Sequence, residues 1–268
     1  MKVAAIQMVS GVAPQANLQA ARELLQEAAR DGCEMAVLPE YFCLLGRKDT
    51  DKLALREHEG QGPIQQFLAQ AAREFGLWVV GGTLPMEAAD DAHVRNATMV
   101  YSPQGQCVAR YDKIHLFRYA DGREQFDETR VIEAGSQTVG FDLVARDSQA
   151  WRVGLSVCYD LRFPELYRRL NADVLLVPSA FTHTTGQAHW EPLLRARAIE
   201  NLAYVIAPAQ GGVHENGRRT WGHSMVIDPW GEVLADRAEG AGVVVATLDR
   251  DRLAQLRSQL PALQHRVL

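Results

Sequence analysis

Residues Trp151 to Glu165 read WRVGLSVCYDLRFPE and carry the clearest indication of the fold. The apolar part of this stretch, Val153 to Val157, contains β-branched residues and is typical of a buried strand. Pro164 suits the first turn of a helix, and Glu165 is favoured near the positive end of that helix. Cys158 is therefore predicted to lie on the turn between a strand and a helix.

The position of Cys158 points to chemistry as well as to fold. Ligands bind at the carboxyl ends of the strands in an open α/β sheet, and a thiol near a helix N-terminus can have a lowered pKa. A free cysteine is more often a small buried hydrophobe. That reading does not account for Tyr159, Asp160 and Arg162 on the same turn, so Cys158 is a candidate nucleophile.

The composition is that of an ordinary folded protein. The chain has 268 residues, 47% of them hydrophobic and 23% charged, which fits one large α/β domain or two small ones. A net charge of −5 gives no basic footprint for nucleic acid, and the lack of a long apolar run predicts no membrane partner. Because no linker or composition shift divides the chain, a single domain over residues 1–268 is expected.

The cysteines favour a reducing location. Cys33, Cys43, Cys107 and Cys158 show no CxxC spacing, which argues against a disulfide framework. The chain begins with the strand-like run Met1 to Gln7 rather than with a charged and then apolar leader. A cytoplasmic protein is therefore expected.

The first part of the chain alternates predicted strands and helices, which indicates a sheet with helices packed on it. These elements are a strand over Val3 to Met8, a helix from Asn17, which can cap it, to about Arg30, a strand over Met35 to Leu38, a helix over Gln61 to Phe75, and a strand over Leu77 to Thr83.

The rest of the chain adds an antiparallel pair, a polar segment predicted to be a functional loop, and a second set of strands and helices. These are the strands Ala97 to Tyr101 and Cys107 to Ile114, the loop Arg118 to Gly135, the Cys158 strand with a short helix to Leu170, the strand Asp173 to Pro178, the loop Ser179 to Gly186, the helix His189 to Asn201 with Pro192 in its first turn, the strand Ala203 to Ala207, a hairpin around Pro229 to Gly231, the strand Val243 to Leu248, and the helix Arg250 to Leu260.

Three ionisable residues each follow an apolar or extended run: Glu40, Lys113 and Cys158. If the strands are neighbours, these side chains converge at one edge of the sheet. A carboxylate can take the thiol proton as general base, and an ammonium can stabilise a thiolate or an oxyanion. Covalent acyl transfer needs these three parts.

Each residue alone admits a plainer interpretation. Glu40 fits a solvated loop carboxylate, and Lys113 fits a surface ion pair of little energetic value. His115 suggests a Cys–His dyad instead. The serine, histidine and aspartate content would also permit a serine hydrolase triad, but the sequence contains no G-x-S-x-G motif. The histidines are scattered without the spacing of metal ligands, so no metal site is predicted.

Three motifs carry a resemblance to a known family: Leu38 to Glu40 (LPE), Tyr111 to Phe117 (YDKIHLF) and Gly154 to Glu165 (GLSVCYDLRFPE). In this order they resemble the motifs of the nitrilase superfamily of carbon–nitrogen hydrolases. Later segments look like the Nit branch: Pro178 to Phe181, Gly186 to Glu191 and Trp221 to Gly231. Within that branch, Arg195 to Glu200 and the ending Leu260 to Arg266 resemble the deaminated glutathione amidases.

The resemblance implies a four-layer αββα sandwich and a Glu–Lys–Cys site. By it, Glu40 is the general base, Lys113 supports the tetrahedral intermediate, and Cys158 is the nucleophile. The family also places a second glutamate in the loop after the lysine. Glu128 is the choice for this role, with Glu124 as the fallback.

The resemblance also implies how a substrate is held. The backbone N–H of Tyr159 is the second oxyanion donor, Arg162 binds a substrate carboxylate, and Phe181 and Thr185 line the pocket. A planar guanidinium suits bidentate recognition of a carboxylate. No cofactor is implied. The partner expected is a small-molecule amide, and apolar residues near the hairpin and on the last helix favour a homodimer or homotetramer.

The function predicted is amide hydrolysis through a cysteine thioester, with a small amide bearing an α-keto acid, such as deaminated glutathione, as the favoured substrate. An omega-amidase acting on α-ketoglutaramate-like acids is the nearest alternative. N-carbamoyl amino acids and nitriles rank lower, and a non-catalytic binding scaffold is the alternative from another class.

Overall fold

Seventeen strands and five helices build the described part of the chain, which is residues 1–120, 122 and 125–267 of a computed structural model. The strands are β1 (Lys2–Gln7), β2 (Met35–Val37), β3 (Trp78–Val80), β4 (Leu84–Glu87), β5 (Val94–Tyr101), β6 (Cys107–Asp112), β7 (Arg118–Ala120), β8 (Gln125–Asp127), β9 (Gly140–Val144), β10 (Ala150–Leu155), β11 (Val174–Leu176), β12 (Tyr204–Ala207), β13 (Gly211–Val213), β14 (Arg219–Trp221), β15 (Ser224–Ile227), β16 (Val233–Arg237) and β17 (Gly242–Thr247). The helices are α1 (Pro14–Arg30), α2 (Pro63–Phe75), α3 (Pro164–Leu170), α4 (His183–Asn201) and α5 (Arg250–Gln259).

Two large sheets share these strands. In the first, the order is β17-β1-β2-β3-β5-β4, with β6 paired to β5; in the second it is β16-β15-β12-β11-β10-β9. Each sheet contains three adjacent parallel strands joined by helices, β1-α1-β2-α2-β3 in one and β10-α3-β11-α4-β12 in the other. The two halves of the chain therefore repeat one βαβαβ plan.

Successive side chains of a strand point to opposite faces of its sheet, so one face packs on the other sheet and the opposite face packs on helices. In β1, Val3 and Ala5 belong to the core shared with the second sheet, whereas Ala4 and Ile6 pack with α1 and α2. Helices α3 and α4 cover the outer face of the second sheet. Burying a valine or isoleucine side chain contributes roughly 1.5–3 kcal/mol, so both faces of β1 stabilise the sandwich. The expected αββα architecture is confirmed.

The predicted starts of two helices are wrong. Helix α1 begins at Pro14, and Asn17 lies inside it, where its side chain bonds the backbone of Gly11 and Cys43 instead of capping. Pro14 takes the first helical position, where a missing N–H costs nothing.

Helix α4 begins at His183 with Thr182 as its cap, so much of the predicted small-residue loop is helical. Pro192 consequently lies inside the helix rather than in its first turn. The expected loop after β6 also contains the β7–β8 pair and a 3₁₀ turn over Glu128–Arg130.

The described helices include none that is both long and apolar enough to span a membrane.

Gly82 places the loop that carries Glu40. Its φ is +48°, and a Cβ there would lie 2.1 Å from the carbonyl oxygen of Pro39. Next to it, the Thr83 hydroxyl accepts a 2.8 Å hydrogen bond from the Tyr41 N–H. Only glycine permits both the backbone conformation and this close approach.

We expect Gly82→Ala to lower the free energy of unfolding more than Gly76→Ala does. Both positions have a left-handed φ, but a Cβ at Gly76 meets nothing within 4 Å. Gly76→Ala should cost about 1–2 kcal/mol of backbone strain, and Gly82→Ala about 1–3 kcal/mol more, because the neighbouring backbone must move. Denaturant unfolding of both variants measures the difference, and equal losses would contradict the close approach.

Candidate active site

A buried cluster of charged side chains lies where the ends of β2 and β6 meet the loop after β8. Lys113 Nζ is 2.9 Å from Glu40 Oε1 and 2.9 Å from Glu128 Oε2. The Lys113 side chain is fully buried, and that of Glu40 is 1% exposed. The plainer interpretations of a solvated Glu40 and a surface Lys113 are therefore wrong.

Three donors fix the Glu40 carboxylate. Oε1 accepts hydrogen bonds from Lys113 Nζ and, at 2.9 Å, from Asn96 Nδ2. Oε2 accepts a 2.9 Å bond from the Ala180 N–H, which follows β11 in the second sheet. Glu40 thus joins the two sheets and is held in one orientation.

Lys113 remains a cation in spite of its burial. Burial alone would lower the pKa of its ammonium, but the carboxylates of Glu128 and Glu40 outweigh that effect and hold the pKa above its ordinary value. The backbone of Lys113 is fixed by a 3.0 Å bond from its N–H to the Asn96 carbonyl. Strand β5, which contains Asn96, therefore positions both the backbone of Lys113 and the Asn96 amide that donates to Glu40.

Glu128 is the carboxylate on the other side of the lysine. Its oxygens accept bonds of 2.7 Å from the Tyr41 hydroxyl and 2.7 Å from the Phe117 N–H. Burial opposes the charged form, but the Lys113 charge and these hydrogen bonds hold the pKa of Glu128 below its ordinary value. The fallback residue, Glu124, lies outside the described residues.

Cys158 comes from the second sheet, so the expected convergence at one edge of a single sheet is wrong: it takes place between the sheets. Its φ is +49°, and its N–H donates a 2.9 Å bond to the Pro178 carbonyl. Cys158 begins a 3₁₀ turn to Arg162, and α3 starts only at Pro164. The thiol therefore does not lie at the N-terminus of α3.

Burial and the nearby charge of Glu40 raise the pKa of the Cys158 thiol well above its ordinary value, although Lys113 partly offsets them. The lowered pKa expected from the sequence is therefore wrong. The helix dipole falls off within one turn, whereas desolvation acts on the whole buried group. The resting residue is a neutral thiol that needs a base to ionise.

Asp160 braces the turn that carries the cysteine. Its buried carboxylate accepts a 2.7 Å hydrogen bond from the Tyr111 hydroxyl and a 2.8 Å hydrogen bond from the Val157 N–H. His115 Nδ1 lies 2.7 Å from the same carboxylate, and its ring stacks on Phe163 at 3.7 Å. His115 thus serves this brace, and the geometry gives no support to a Cys–His dyad.

A cavity opens beside the cysteine. It is lined by Cys158 and by all four residues expected to bind substrate, Tyr159, Arg162, Phe181 and Thr185, together with Phe117, Ala180 and Thr182. The structure therefore brings the predicted binding residues to the nucleophile candidate.

Arg162 keeps its charge available to this cavity. Its Cζ lies 5.6 Å from the ring centroids of both Tyr159 and Phe181, and Nη1 is 3.3 Å from His189 Nδ1. Within the described ranges it forms no ion pair with Asp160 or Glu165. Among the described residues, therefore, no salt bridge to a carboxylate on this turn occupies the Arg162 guanidinium.

Sequence reasoning missed several polar contacts of the cluster. The Asn96 amide, the Tyr41 hydroxyl and the Ala180 N–H all bond its carboxylates. Because Tyr41 directly follows Glu40 in the sequence, its proximity to the cluster could have been predicted. Asn96 and Ala180 carried no such signal, because they come close only through sheet pairing. No group of three potential ligands able to hold a metal ion occurs among the residues that the structure describes.

Comparison with known proteins agrees with this geometry. The family model described as carbon-nitrogen hydrolase matches residues 2–258. The deaminated glutathione amidase of Synechocystis sp. is 45% identical over 98% of this chain and 97% of its own length. The chain therefore belongs to the carbon–nitrogen hydrolases of the nitrilase superfamily, which makes it a hydrolase that acts on amides.

Solved structures share the fold. The Caenorhabditis elegans NitFhit protein matches with a TM-score of 0.89 and 36% identity over 99% of this chain. This chain spans 65% of the length of NitFhit. Saccharomyces cerevisiae Nit3, described as a member of branch 10 of the nitrilase superfamily, gives a TM-score of 0.88 and 27% identity, with 100% of this chain and 97% of that chain covered.

We expect the alkylation of Cys158 by uncharged iodoacetamide to keep accelerating with pH. A raised thiol pKa predicts no plateau below about pH 9, since an ordinary cysteine has a pKa of about 8.5. The rate is measured in a Cys107→Ser background, because Cys107 is the exposed cysteine. The same background with Cys158→Ser gives the residual rate. A plateau near pH 6 would show a lowered pKa and contradict the burial argument.

Proposed function

We propose that this chain hydrolyses a small carboxylate-bearing amide through a thioester on Cys158. The observation that carries the proposal is the buried Glu40–Lys113–Glu128 cluster beside a cysteine-lined cavity that also contains Arg162. A base, a cation and a thiol in one desolvated place are the parts of nucleophilic acyl transfer.

Acylation begins when Glu40 takes the thiol proton and Cys158 Sγ attacks the amide carbonyl carbon. The oxyanion that forms is stabilised by the Lys113 ammonium and by the Tyr159 N–H. Glu40 then gives its proton to the leaving nitrogen as the carbon–nitrogen bond breaks. The products of this half-reaction are a free amine and a thioester, with Glu40 again a carboxylate.

Deacylation uses the same groups with water as the nucleophile. Glu40 takes one proton from water, the oxygen attacks the thioester carbon, and the carbon–sulfur bond breaks. The proton held by Glu40 returns to the departing sulfur, so that the carboxylic acid leaves and the thiol is restored. Because the pKa of Cys158 is raised at rest, this proton return is favourable.

Glu128 acts through the lysine. Its two oxygens lie 3.0 Å and 2.9 Å from Lys113 Nζ, and its charge helps to keep the ammonium protonated. Burial raises the pKa of Tyr41, so its phenol stays neutral and donates to Glu128. In this proposal Glu128 positions the oxyanion donor rather than touching substrate.

The favoured substrate is deaminated glutathione. The Synechocystis relative carries the name deaminated glutathione amidase, and Arg162 in the Cys158 cavity suits the α-keto acid end of that compound. Phe181 and Thr185 complete the wall around the acyl group. An omega-amidase that releases ammonia from an α-ketoglutaramate-like acid would use the same Arg162 contact and is the second candidate.

We also propose a homodimer or homotetramer in the cytoplasm. Ile199, Trp230 and Leu234 are exposed, and Gly231, next to Trp230 in the hairpin, lies close to the Ile199 side chain. Helix α5 contributes less than expected, because Leu253 and Leu256 are buried. A reducing compartment keeps the thiol of Cys158 available for attack.

We expect Cys158→Ala to abolish amide hydrolysis, because no other group can form the thioester. Release of the amine from deaminated glutathione is followed in steady state, with ammonia release from α-ketoglutaramate as the second assay. The matched control is Cys107→Ala, because Cys107 is an exposed cysteine at the start of β6. Thermal melting of both variants checks folding. Turnover at the parental rate in Cys158→Ala would overturn the mechanism.

We expect Arg162→Lys to lose kcat/KM mainly on amides whose acyl part bears a carboxylate. The lysine keeps the charge but loses the planar fork, so the loss should be roughly 2–4 kcal/mol. Neutral amides of similar size serve as the comparison and should lose much less. An equal loss on charged and neutral amides, together with a lower melting temperature, would show that Arg162 only braces the turn.

We expect the chain, whose mass is 29.7 kDa, to sediment as a dimer or larger at micromolar concentration. Trp230→Glu should shift the equilibrium towards monomer, because burying a carboxylate at an apolar contact is unfavourable. Val144→Glu is the control, since Val144 is exposed elsewhere, at the end of β9. A monodisperse parental monomer would refute the assembly.

A further inference from the structure

The side-chain amide of Gln210 meets the backbone of Glu40. Gln210 lies between β12 and β13 in the chain, and its exposed fraction is 0%. Its Nε2 donates a 3.1 Å hydrogen bond to the Glu40 carbonyl oxygen. The mechanism proposed above gives this buried amide no part.

The partners of the Gln210 amide fix its orientation. The Ser10 N–H can only donate, so it faces Oε1, at 3.0 Å. The Glu40 carbonyl can only accept, so it faces Nε2. Nε2 also donates 2.8 Å to the Ser10 hydroxyl, which in turn donates 2.9 Å to the Phe42 carbonyl. Both hydrogens and the oxygen of the amide therefore have partners.

Ser10 is itself held in place. It is 1% exposed, and its carbonyl oxygen lies 2.9 Å from Nδ1 of the buried His214. Nε2 of that ring lies 2.7 Å from the Thr220 hydroxyl. Burial lowers the pKa of His214, which favours a neutral ring that donates to Ser10 and accepts from Thr220. The Gln210 amide is therefore anchored to a segment that has its own buried contacts.

The main chain of Gln210 reaches a second anchor of Glu40. Its N–H donates 2.9 Å to the Ser179 carbonyl. The residue after Ser179 is Ala180, whose N–H donates to Glu40 Oε2. Gln210 thus bonds the Glu40 carbonyl through its side chain and holds, through its backbone, the segment that binds the Glu40 carboxylate.

We infer that Gln210 is a positioning residue for Glu40. It holds the main chain of Glu40 and the Ala180 segment in register, and so directs the Glu40 carboxylate towards the Cys158 thiol. Gln210 itself touches neither the substrate nor the reacting atoms. This inference rests on the proposed function, in which Glu40 is the base.

Proton transfer depends strongly on such placement. A base must lie within hydrogen-bond reach of the proton it takes, and a displacement of about 1 Å can cost about 100-fold in rate. The cavity that receives the acyl group has other walls, among them Arg162 and Phe181. Loss of the Gln210 amide should therefore slow the chemical step and leave the affinity for substrate nearly unchanged.

The alternative role for Gln210 is only to join the two sheets, and Gln7 provides a matched case. Gln7 is the last residue of β1 and is equally buried. Its Oε1 accepts 2.9 Å from the Ser224 N–H of β15, and its Nε2 donates 3.0 Å to the Gly240 carbonyl. Both glutamines therefore connect the sheets. Among the hydrogen bonds of the described residues, those of the Gln7 amide do not reach Glu40.

The test compares Gln210→Met with Gln7→Met. Methionine is unbranched and of similar length, but it cannot replace the hydrogen bonds of the amide. Steady-state hydrolysis of deaminated glutathione gives kcat and KM, and denaturant unfolding gives the loss of stability. The two variants should lose similar stability, because each leaves buried partners of an amide unsatisfied.

Gln210→Met should lower kcat and kcat/KM together, by about 10- to 100-fold, with KM changed by no more than about 2-fold. Gln7→Met should keep kcat within about 3-fold of the parental value. Equal falls in kcat for the two variants, or a parental kcat in Gln210→Met, would overturn the inference.

Ser10→Ala decides the question if Gln210→Met does not fold. It removes the hydroxyl that accepts from Gln210 Nε2 and leaves the amide of Gln210 present. A kcat lower by about 3-fold or more at constant KM supports the positioning role, because one anchor of the amide is lost. A parental kcat in Ser10→Ala contradicts it.

Alkylation of Cys158 by iodoacetamide separates this inference from the proposed function, because it needs no turnover. The charge of Glu40 helps to raise the pKa of the Cys158 thiol, so a Glu40 that is no longer held should raise it less. In the Cys107→Ser background, Gln210→Met should therefore be alkylated about 3-fold or more faster than Gln7→Met at a given pH.

The two assays together give distinct results. If the parent hydrolyses no amide but Gln210→Met shows the faster alkylation, the proposed function fails and the positioning role stands. If the parent hydrolyses the amide and both methionine variants match it in kcat and in alkylation rate, the function stands and the positioning role fails.

Discussion

The buried ammonium of Lys113 is held between the carboxylates of Glu40 and Glu128 at the point where loops from the two sheets meet. Removing these charges from water costs several kcal/mol per ion, and only well-placed partners offset that cost. Here each carboxylate has further donors: Asn96 and Ala180 for Glu40, and Tyr41 and Phe117 for Glu128. The cluster is satisfied only when loops from both sheets are in place.

That dependence explains the division of labour between the halves of the chain. The first sheet supplies the base and the cation, and the second supplies the cysteine and most of the wall around the reacting carbon. The parallel strands of each half end towards this site, so one βαβαβ plan used twice gives two sets of loops. The packing of the two sheets against each other therefore also brings the parts of the site together.

Much of this was predictable from the sequence, because apolar runs that end in Glu40, Lys113 and Cys158 mark strand ends. The resemblance added the αββα order, and the family comparison confirms it. What could not be predicted depends on contacts between distant segments. Asn96 approaches Glu40 through sheet pairing, and the raised pKa of Cys158 follows from burial that no local pattern reports. Helices α1 and α4 begin earlier than the sequence predicts: α1 starts at Pro14 without a side-chain cap, and α4 starts after Thr182, whose side chain caps it.

Phe117 contributes to the molecule in two separable ways. Its main-chain N–H bonds Glu128 at 2.7 Å, and Phe117 also lines both the cavity beside Cys158 and a second cavity beside Glu128. Every residue except proline provides that N–H, so the ring can change during evolution while the carboxylate keeps its donor. Replacement of the Phe117 side chain can therefore change the shape of both cavities, and with it the range of substrates, while the contact to Glu128 is preserved.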